Sequence, residues 1–328
     1  MTDMLIANNV SKVFGGGRTW LGKTKPKVHA VQNISLTVKE GETLGIVGES
    51  GCGKSTLAQV LVGLLTPSQG EVIINGNKLE TLRKDPTELS RTIQYIFQDP
   101  ISSLNPRKTI LETLEAPLKH LYKMDKQQRL ARIHELLDAV NIRPEFLSRY
   151  PHEFSGGQAQ RISIARALAA NPKIIILEEP VSALDVSVQA QVLNLLEELK
   201  QRFNLTYIFI SHDLGVVEAI CDRVAVLYFG SMVESGKADS IFSHASHPYT
   251  DLLASSAPVV GKASLYEQVT NVELPDPLDP PPGCPFSARC NYAIDQCLQS
   301  KPTLSKLQGD HETACHNPRI QRSTPQAC

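Results

Sequence analysis

A chain of 328 residues carries 33 Lys and Arg against 34 Asp and Glu, for a net charge of −1, with 41% hydrophobic and 20% charged residues. That balance is ordinary for a globular protein and lacks the strongly basic domain of a dedicated nucleic-acid binder, so no nucleic-acid partner is expected. Its longest apolar stretches, LAQVLVGLL (Leu57 to Leu65) and KIIIL (Lys173 to Leu177), fall far short of the ~20 residues that span a bilayer, and MTDMLIANNV has no basic region ahead of an apolar run.

In chain order, TLGIV (Thr43 to Val47) predicts a strand, Lys54 to Leu65 a helix, and EVIING (Glu71 to Gly76) a further strand. From Thr109 to Leu147 the periodicity is helical alone, with apolar spacing in LLDAVNI and charged faces in KMDKQQRLARIHE. Then come the strand KIIIL, a helix from Val186 to Phe203, and the strand TYIFIS (Thr206 to Ser211). This alternation predicts an α/β core with a largely parallel sheet, interrupted by an inserted helical subdomain. Beyond Gly261 prolines accumulate into LPDPLDPPPG, which continues neither helix nor strand and reads as a linker. The expected organisation is a domain over 1–260, its helical subdomain at about 100–170, and a small irregular cysteine-containing extension over 261–328.

GESGCGKS, Gly48 to Ser55, lies between the first predicted strand and the first helix and fits G-x-x-x-x-G-K-[ST]. Its glycines let the backbone fold tightly, so that successive N–H groups point at phosphate oxygens from the positive end of the helix. Gly48, Glu49, Ser50, Gly51, Cys52, Gly53, Lys54, Ser55 and Thr56 are therefore the expected ATP contacts. Lys54 should reach the β- and γ-phosphates, and Ser55 should ligate Mg²⁺. Cys52 reads as a small residue the loop tolerates, in a place that favours a more acidic thiol than usual.

Further motifs follow in order: FQDP (Phe97 to Pro100), FSGGQ (Phe154 to Gln158) before the helical QRISIARALAA, IIILEEP (Ile174 to Pro180), SALD (Ser182 to Asp185) and ISHD (Ile210 to Asp213). With the phosphate loop, this set resembles the ATP-binding cassette family, which implies a P-loop ATPase core of that type. The resemblance makes Glu179 the general base that orients the attacking water, His212 the contact to the γ-phosphate, and Gln98 the sensor of Mg²⁺ and water. It makes Ser55, Gln98 and Glu178 the Mg²⁺ ligands, with Glu178 standing where the family has aspartate. Ser155, Gly156, Gly157 and Gln158 would serve the ATP of a partner subunit, with Asp185 at the interface. Phe14, in SKVF, would stack on adenine; its other reading is an ordinary core phenylalanine.

Longer stretches, FQDPISSLNPR, YPHEFSGGQ, EEPVSALDVSVQAQVLNLL and HPYTDLLASSAP, resemble the ATPase subunits of bacterial importers for oligopeptides, dipeptides and nickel. The insertion GGGRTWLGKTKPKVHAVQNIS and the phrase SSLNPR point to the second of two such subunits. The resemblance implies ATP-driven uptake of di- or oligopeptides; the alternatives are nickel or another small solute as cargo, or a non-hydrolysing regulatory subunit. It also implies a heterodimer with a second ATPase on the cytoplasmic face of the inner membrane. Two permeases would dock there, one coupling helix beside Gln98, and an extracytoplasmic peptide-binding protein would feed them.

Four of the seven cysteines, Cys284, Cys290, Cys297 and Cys315, crowd the extension. In a cytoplasmic chain disulfides do not persist, and four thiolates suit zinc or an iron–sulfur cluster. The closely paired spacing that structural zinc favours is absent. Some family members carry a [4Fe–4S] cluster on such an extension, and these four cysteines match that pattern; an unmetallated remnant is the remaining alternative. Cys221 is expected in the core, and Cys328 shows no role.

Overall fold

The computed structural model describes residues 2–16, 26–256 and 275–319. Two long antiparallel strands, β1 (Asp3–Gly15) and β2 (Lys27–Lys39), come first. The fully buried β3 (Thr43–Val47) then runs into the phosphate loop and α1 (Lys54–Leu61). Next are β4 (Gln69–Ile74), β5 (Asn77–Lys78), α2 (Leu79–Leu82), α3 (Pro86–Thr92) and β6 (Ile93–Ile96). The predicted helical insertion follows as α4 (Ile110–Tyr122), α5 (Lys126–Ala139) and α6 (Gly156–Ala169). Each begins where its sequence supplies a reciprocal cap, Thr109 with Glu112, Asp125 with Gln128, and Ser155 with Gln158. Such caps satisfy backbone donors that the helix leaves free.

The core resumes with β7 (Ile174–Glu178), α7 (Val186–Phe203), β8 (Thr206–Ser211), α8 (Leu214–Ile220), β9 (Arg223–Tyr228) and β10 (Ser231–Lys237). Then come α9 (Ala238–Ser243), α10 (Pro248–Ser256), α11 (Asp295–Gln299), β11 (Ser305–Gln308) and β12 (His311–Thr313). The large sheet has the order β11-β12-β10-β9-β3-β8-β7-β6, parallel from β9 to β6; a smaller antiparallel sheet has the order β2-β1-β4-β5. Strands β3, β7 and β8 read as unbroken apolar runs because both their faces are covered. Along β8, Tyr207 and Phe209 join the core shared with the helical insertion, while Ile208 and Ile210 join the core under the antiparallel sheet.

The extension differs from its expected irregular character. It contributes β12, which pairs with β10 antiparallel, and β11, which pairs with β12. Phe286, Cys284 and Cys297 are buried in the same core as α4 to α7. Single apolar residues between turns give no period to read in sequence, which is why these elements escaped prediction.

Candidate active site

Loop Gly48–Gly53 leaves the carboxyl end of β3 and opens α1, at the edge of a cavity of about 1210 Å³. Gly48, Glu49, Ser50, Gly51, Gly53, Lys54, Ser55 and Thr56 line it, together with Gln98, Glu179 and His212. Val28, His29 and Ala30 from β2 add to the wall, as do Phe229, Gly230 and Asp276. At Gly53 φ is 104°, and a Cβ there would stand 2.2 Å from the Ala30 carbonyl oxygen, so a side chain would push β2 off the loop. Buried Lys54 donates from Nζ to the carbonyl oxygens of Gly48 at 2.6 Å and Glu49 at 2.9 Å. Those bonds hold its ammonium inside the turn that would receive the phosphates.

Cys52 is buried behind the loop rather than facing the cavity, and burial, its largest influence, pushes its thiol up despite the nearby Lys54. The more acidic thiol expected from the helix N-terminus is not found, because desolvation outweighs the ammonium and the backbone donors.

Glu179 adopts a left-handed backbone at φ 43°, a conformation that costs a non-glycine residue about 1–3 kcal/mol and that its neighbours hold in place. Its N–H donates to the Ile210 carbonyl at 2.8 Å. Its carboxylate is gripped from both sides, Oε2 by Gln98 Nε2 at 2.8 Å and Oε1 by His212 Nδ1 at 3.0 Å. Two residues from the ends of β6 and β8 therefore converge on the carboxylate that follows β7, beside the phosphate loop. That carboxylate is placed to accept a proton from water, which the flanking groups would orient.

The cavity fits a nucleotide by volume and by its lining of loop amides and Lys54, and Ser55 and Gln98, the expected Mg²⁺ ligands, also line it. Glu178, the third expected Mg²⁺ ligand, is not among the lining residues: it is buried, and its Oε2 accepts from the Tyr95 hydroxyl at 2.6 Å. Phe14 is 40% exposed at the end of β1, so it is not a core residue, and it too is absent from the lining; Lys12 Nζ sits 5.2 Å from its ring centre.

Ser155 to Gln158 lie at the start of α6, and Ser155 is exposed. Gly157 packs so closely on α7 that a Cβ would meet Val188 at 2.6 Å. Neither this segment nor Asp185, exposed at the start of α7 with no side-chain cap bond, lines the cavity. The fold thus brings together the loop, Gln98, Glu179 and His212, and leaves the FSGGQ serine facing outward.

The cysteines Cys284, Cys290, Cys297 and Cys315 are all free thiols. Burial, first, and then the neighbouring thiols Cys290, Cys284 and Cys297 push the Cys315 thiol up to about 11. The four share one neighbourhood with the donor chemistry of a cluster site. Even so, among the described residues no three His, Cys, Asp or Glu side chains already stand together as a metal site.

Sequence reasoning missed Tyr95, Tyr249 and Arg289. The Glu49 N–H donates to the Tyr249 hydroxyl at 2.8 Å, and the Glu49 carboxylate takes two 2.9 Å bonds from Arg289. The HPYT motif signalled Tyr249 without revealing its target. Arg289 carried no signal beyond its place beside Cys290.

Comparison with known proteins fits this geometry. A model described as ABC transporter matches residues 31–182, and one described as the oligopeptide/dipeptide transporter C-terminal region matches 233–297. The chain is 47% identical over 294 residues to the oligopeptide transport ATP-binding protein AppF of Bacillus subtilis, covering 88% of this chain and 89% of AppF. It is 45% identical to the probable D,D-dipeptide transport ATP-binding protein DdpF of Escherichia coli, covering 96% and 99%. Among solved structures it resembles an ATP-binding cassette in a dimeric post-hydrolysis state with ADP and Pi, at TM-score 0.62 and 34% identity, covering 72% of this chain and 99% of that one. It also resembles CbiO1 of Clostridium perfringens at TM-score 0.64 and 27% identity, covering 74% and 92%.

The fold and the site define a P-loop ATPase of the cassette type. The chain belongs to the ABC transporter ATPases, in the group that carries the oligopeptide/dipeptide transporter C-terminal region.

Proposed function

We propose that this chain is the ATP-hydrolysing subunit that powers import of di- or oligopeptides through a membrane ABC transporter. The observation that carries the hydrolytic reading is the grip of Gln98 and His212 on Glu179 beside the phosphate loop. In this reading Lys54 holds the β- and γ-phosphates, Ser55 and Gln98 address Mg²⁺, Glu178 joins them only on releasing the Tyr95 hydroxyl, and Phe14 stacks on adenine. Peptide cargo is supported by the transport roles for which AppF and DdpF are named and by the oligopeptide/dipeptide transporter C-terminal region.

The outward Ser155 and the exposed Asp185 support a second ATPase subunit, whose loop the segment Ser155–Gln158 would complete. The half-exposed Phe97 and Ile101, next to Gln98, are apolar surface suited to a permease coupling helix. No helix of the described residues is long and apolar enough to cross a membrane, which suits a peripheral subunit held on the cytoplasmic face by permeases. The cysteine quartet would supply the ligands of a [4Fe–4S] cluster, which would tie the extension together and do no redox work.

The test is sizing and ATPase assay of the full chain, alone and with a candidate second ATPase subunit of the same importer class. Alone it should be a monomer of low turnover; with the partner it should form an ATP-dependent heterodimer whose turnover Ser155→Arg lowers at the partner's site. Full activity from the monomer would refute the shared-site reading, and a transporter that hydrolyses ATP without peptide uptake would refute the cargo.

A further inference from the structure

We propose that Arg289 is a positioning residue for the phosphate loop, holding and neutralising the Glu49 carboxylate beside the place of the triphosphate. The proposal rests on the cavity being the ATP site. Glu49 is the second residue of the loop and lines that cavity, so a charge on its side chain would act on the phosphates that enter there. An unpaired carboxylate there would repel them. Arg289 removes that charge with two parallel bonds of 2.9 Å, from Nη1 to Oε2 and from Nη2 to Oε1. A paired fork of this kind fixes orientation as well as charge.

The arginine is itself fixed. Its side chain is 5% exposed, Nη1 also lies 3.4 Å from the Tyr228 hydroxyl, and the guanidinium sits 5.7 Å from the centre of the Phe286 ring and 5.9 Å from that of Tyr228. Phe286 packs in turn on Tyr228 and Tyr249, with ring centres 5.3 and 5.5 Å away. Tyr249 takes the Glu49 N–H at 2.8 Å, so the backbone and side chain of one loop residue are held by two residues beyond β10. Tyr249 is aimed by His247, whose Nδ1 accepts the Tyr249 N–H at 3.1 Å. The C-terminal region is therefore built into the nucleotide site, and HPYT and Arg289 are the parts that meet it.

The experiment titrates the purified full chain with a fluorescent ATP analogue and Mg²⁺, with thermal unfolding of each variant alongside. Arg289→Gln should weaken nucleotide binding about tenfold or more, because it leaves a partly buried, unpaired carboxylate near the phosphates. Glu49→Gln with Arg289→Gln should recover most of that loss, since no charge is then left unpaired. Arg289→Lys, which keeps the charge and loses the fork, should lose less, and no loss at all would count against the proposal. Arg289→Gln binding as tightly as the wild type while only melting earlier would overturn it, as would a double variant no better than Arg289→Gln. A wild-type chain that binds no MgATP would instead refute the ATP site itself.

Discussion

Tyr95 on β6 donates its hydroxyl to Glu178 at the end of β7, 2.6 Å away, with both side chains buried. Burial, and then this bond, hold the Tyr95 hydroxyl protonated well above its ordinary range. An aspartate at 178, which the resemblance to the family implies, would be one methylene shorter and would leave the tyrosine hydroxyl without its acceptor. Glutamate and tyrosine are thus matched. Glu178→Asp should cost about 1–3 kcal/mol of stability, the penalty of a buried donor left unsatisfied. Tyr95→Phe combined with Glu178→Asp should recover most of it. Calorimetric melting of the four members of the cycle checks the coupling; strictly additive losses would disprove it. In ATPase assays Tyr95→Phe should lower the Mg²⁺ concentration for half-maximal turnover, because it frees an Oε2 now turned away from the cavity.

Lys54→Ala and Glu179→Gln should fail differently. Removing Lys54 takes a charge from the phosphates, so nucleotide binding and hydrolysis should fall together. Glu179→Gln keeps the left-handed backbone and one hydrogen bond to Gln98 or His212, so ATP should still bind and hold the closed dimer. Turnover should drop by about 10²–10⁴, the worth of a positioned base. Binding measured apart from single-turnover hydrolysis in the assembled transporter separates the two. Near-normal turnover from Glu179→Gln would move the base elsewhere.

Much of this site was legible from sequence because each motif sits at the end of a strand whose period is clear. GESGCGKS after TLGIV, EEP after IIIL and SHD after TYIFI place Lys54, Glu179 and His212 by topology alone. The convergence of Gln98 and His212 on opposite oxygens of Glu179 needed coordinates, since it depends on side-chain direction and not on spacing. The partners of Glu49 and Glu178 were illegible for another reason. Arg289 lies 240 residues from Glu49, and Tyr95 lies 83 from Glu178, and no local pattern reports a pairing across such distances. The same holds for β11 and β12, which are too short to show a period yet extend the central sheet.

The HPYT motif should confer a pH dependence on stability. Buried His247 is held neutral, its ring pushed from 6.5 down to about 4 by desolvation, against a smaller upward pull from Glu234. Below about pH 6.5 the unfolded chain takes up a proton that the folded chain refuses, so stability falls as the pH drops towards 4 and levels off below it. The contribution is about 3 kcal/mol at most. Urea unfolding from pH 7.5 to 4 should show this decline, and His247→Asn, which cannot titrate, should flatten it. An equal slope in the variant would assign the decline to other groups.

The cysteine quartet is open to the most direct test. The four thiols are free, two of them buried and two half-buried, and they act on one another strongly enough to help push Cys315 up to about 11. Two of these thiols pack in the hydrophobic core, which by itself does not require all four cysteines to gather. Their common placement is understandable if they surrender protons to a metal, since thiolate ligation offsets the cost of crowding charge. Anaerobically purified protein should then be brown and carry about four iron atoms per chain, the content of a four-thiolate cubane. Cys290→Ser should remove the colour, and limited proteolysis should show the region after residue 275 opening first. Because Arg289 adjoins Cys290, loss of the cluster should also weaken nucleotide binding, in the same direction as Arg289→Gln and to a smaller extent. Stoichiometric zinc without iron would overturn the cluster, and a colourless protein with all four thiols freely titratable would leave the quartet without a metal.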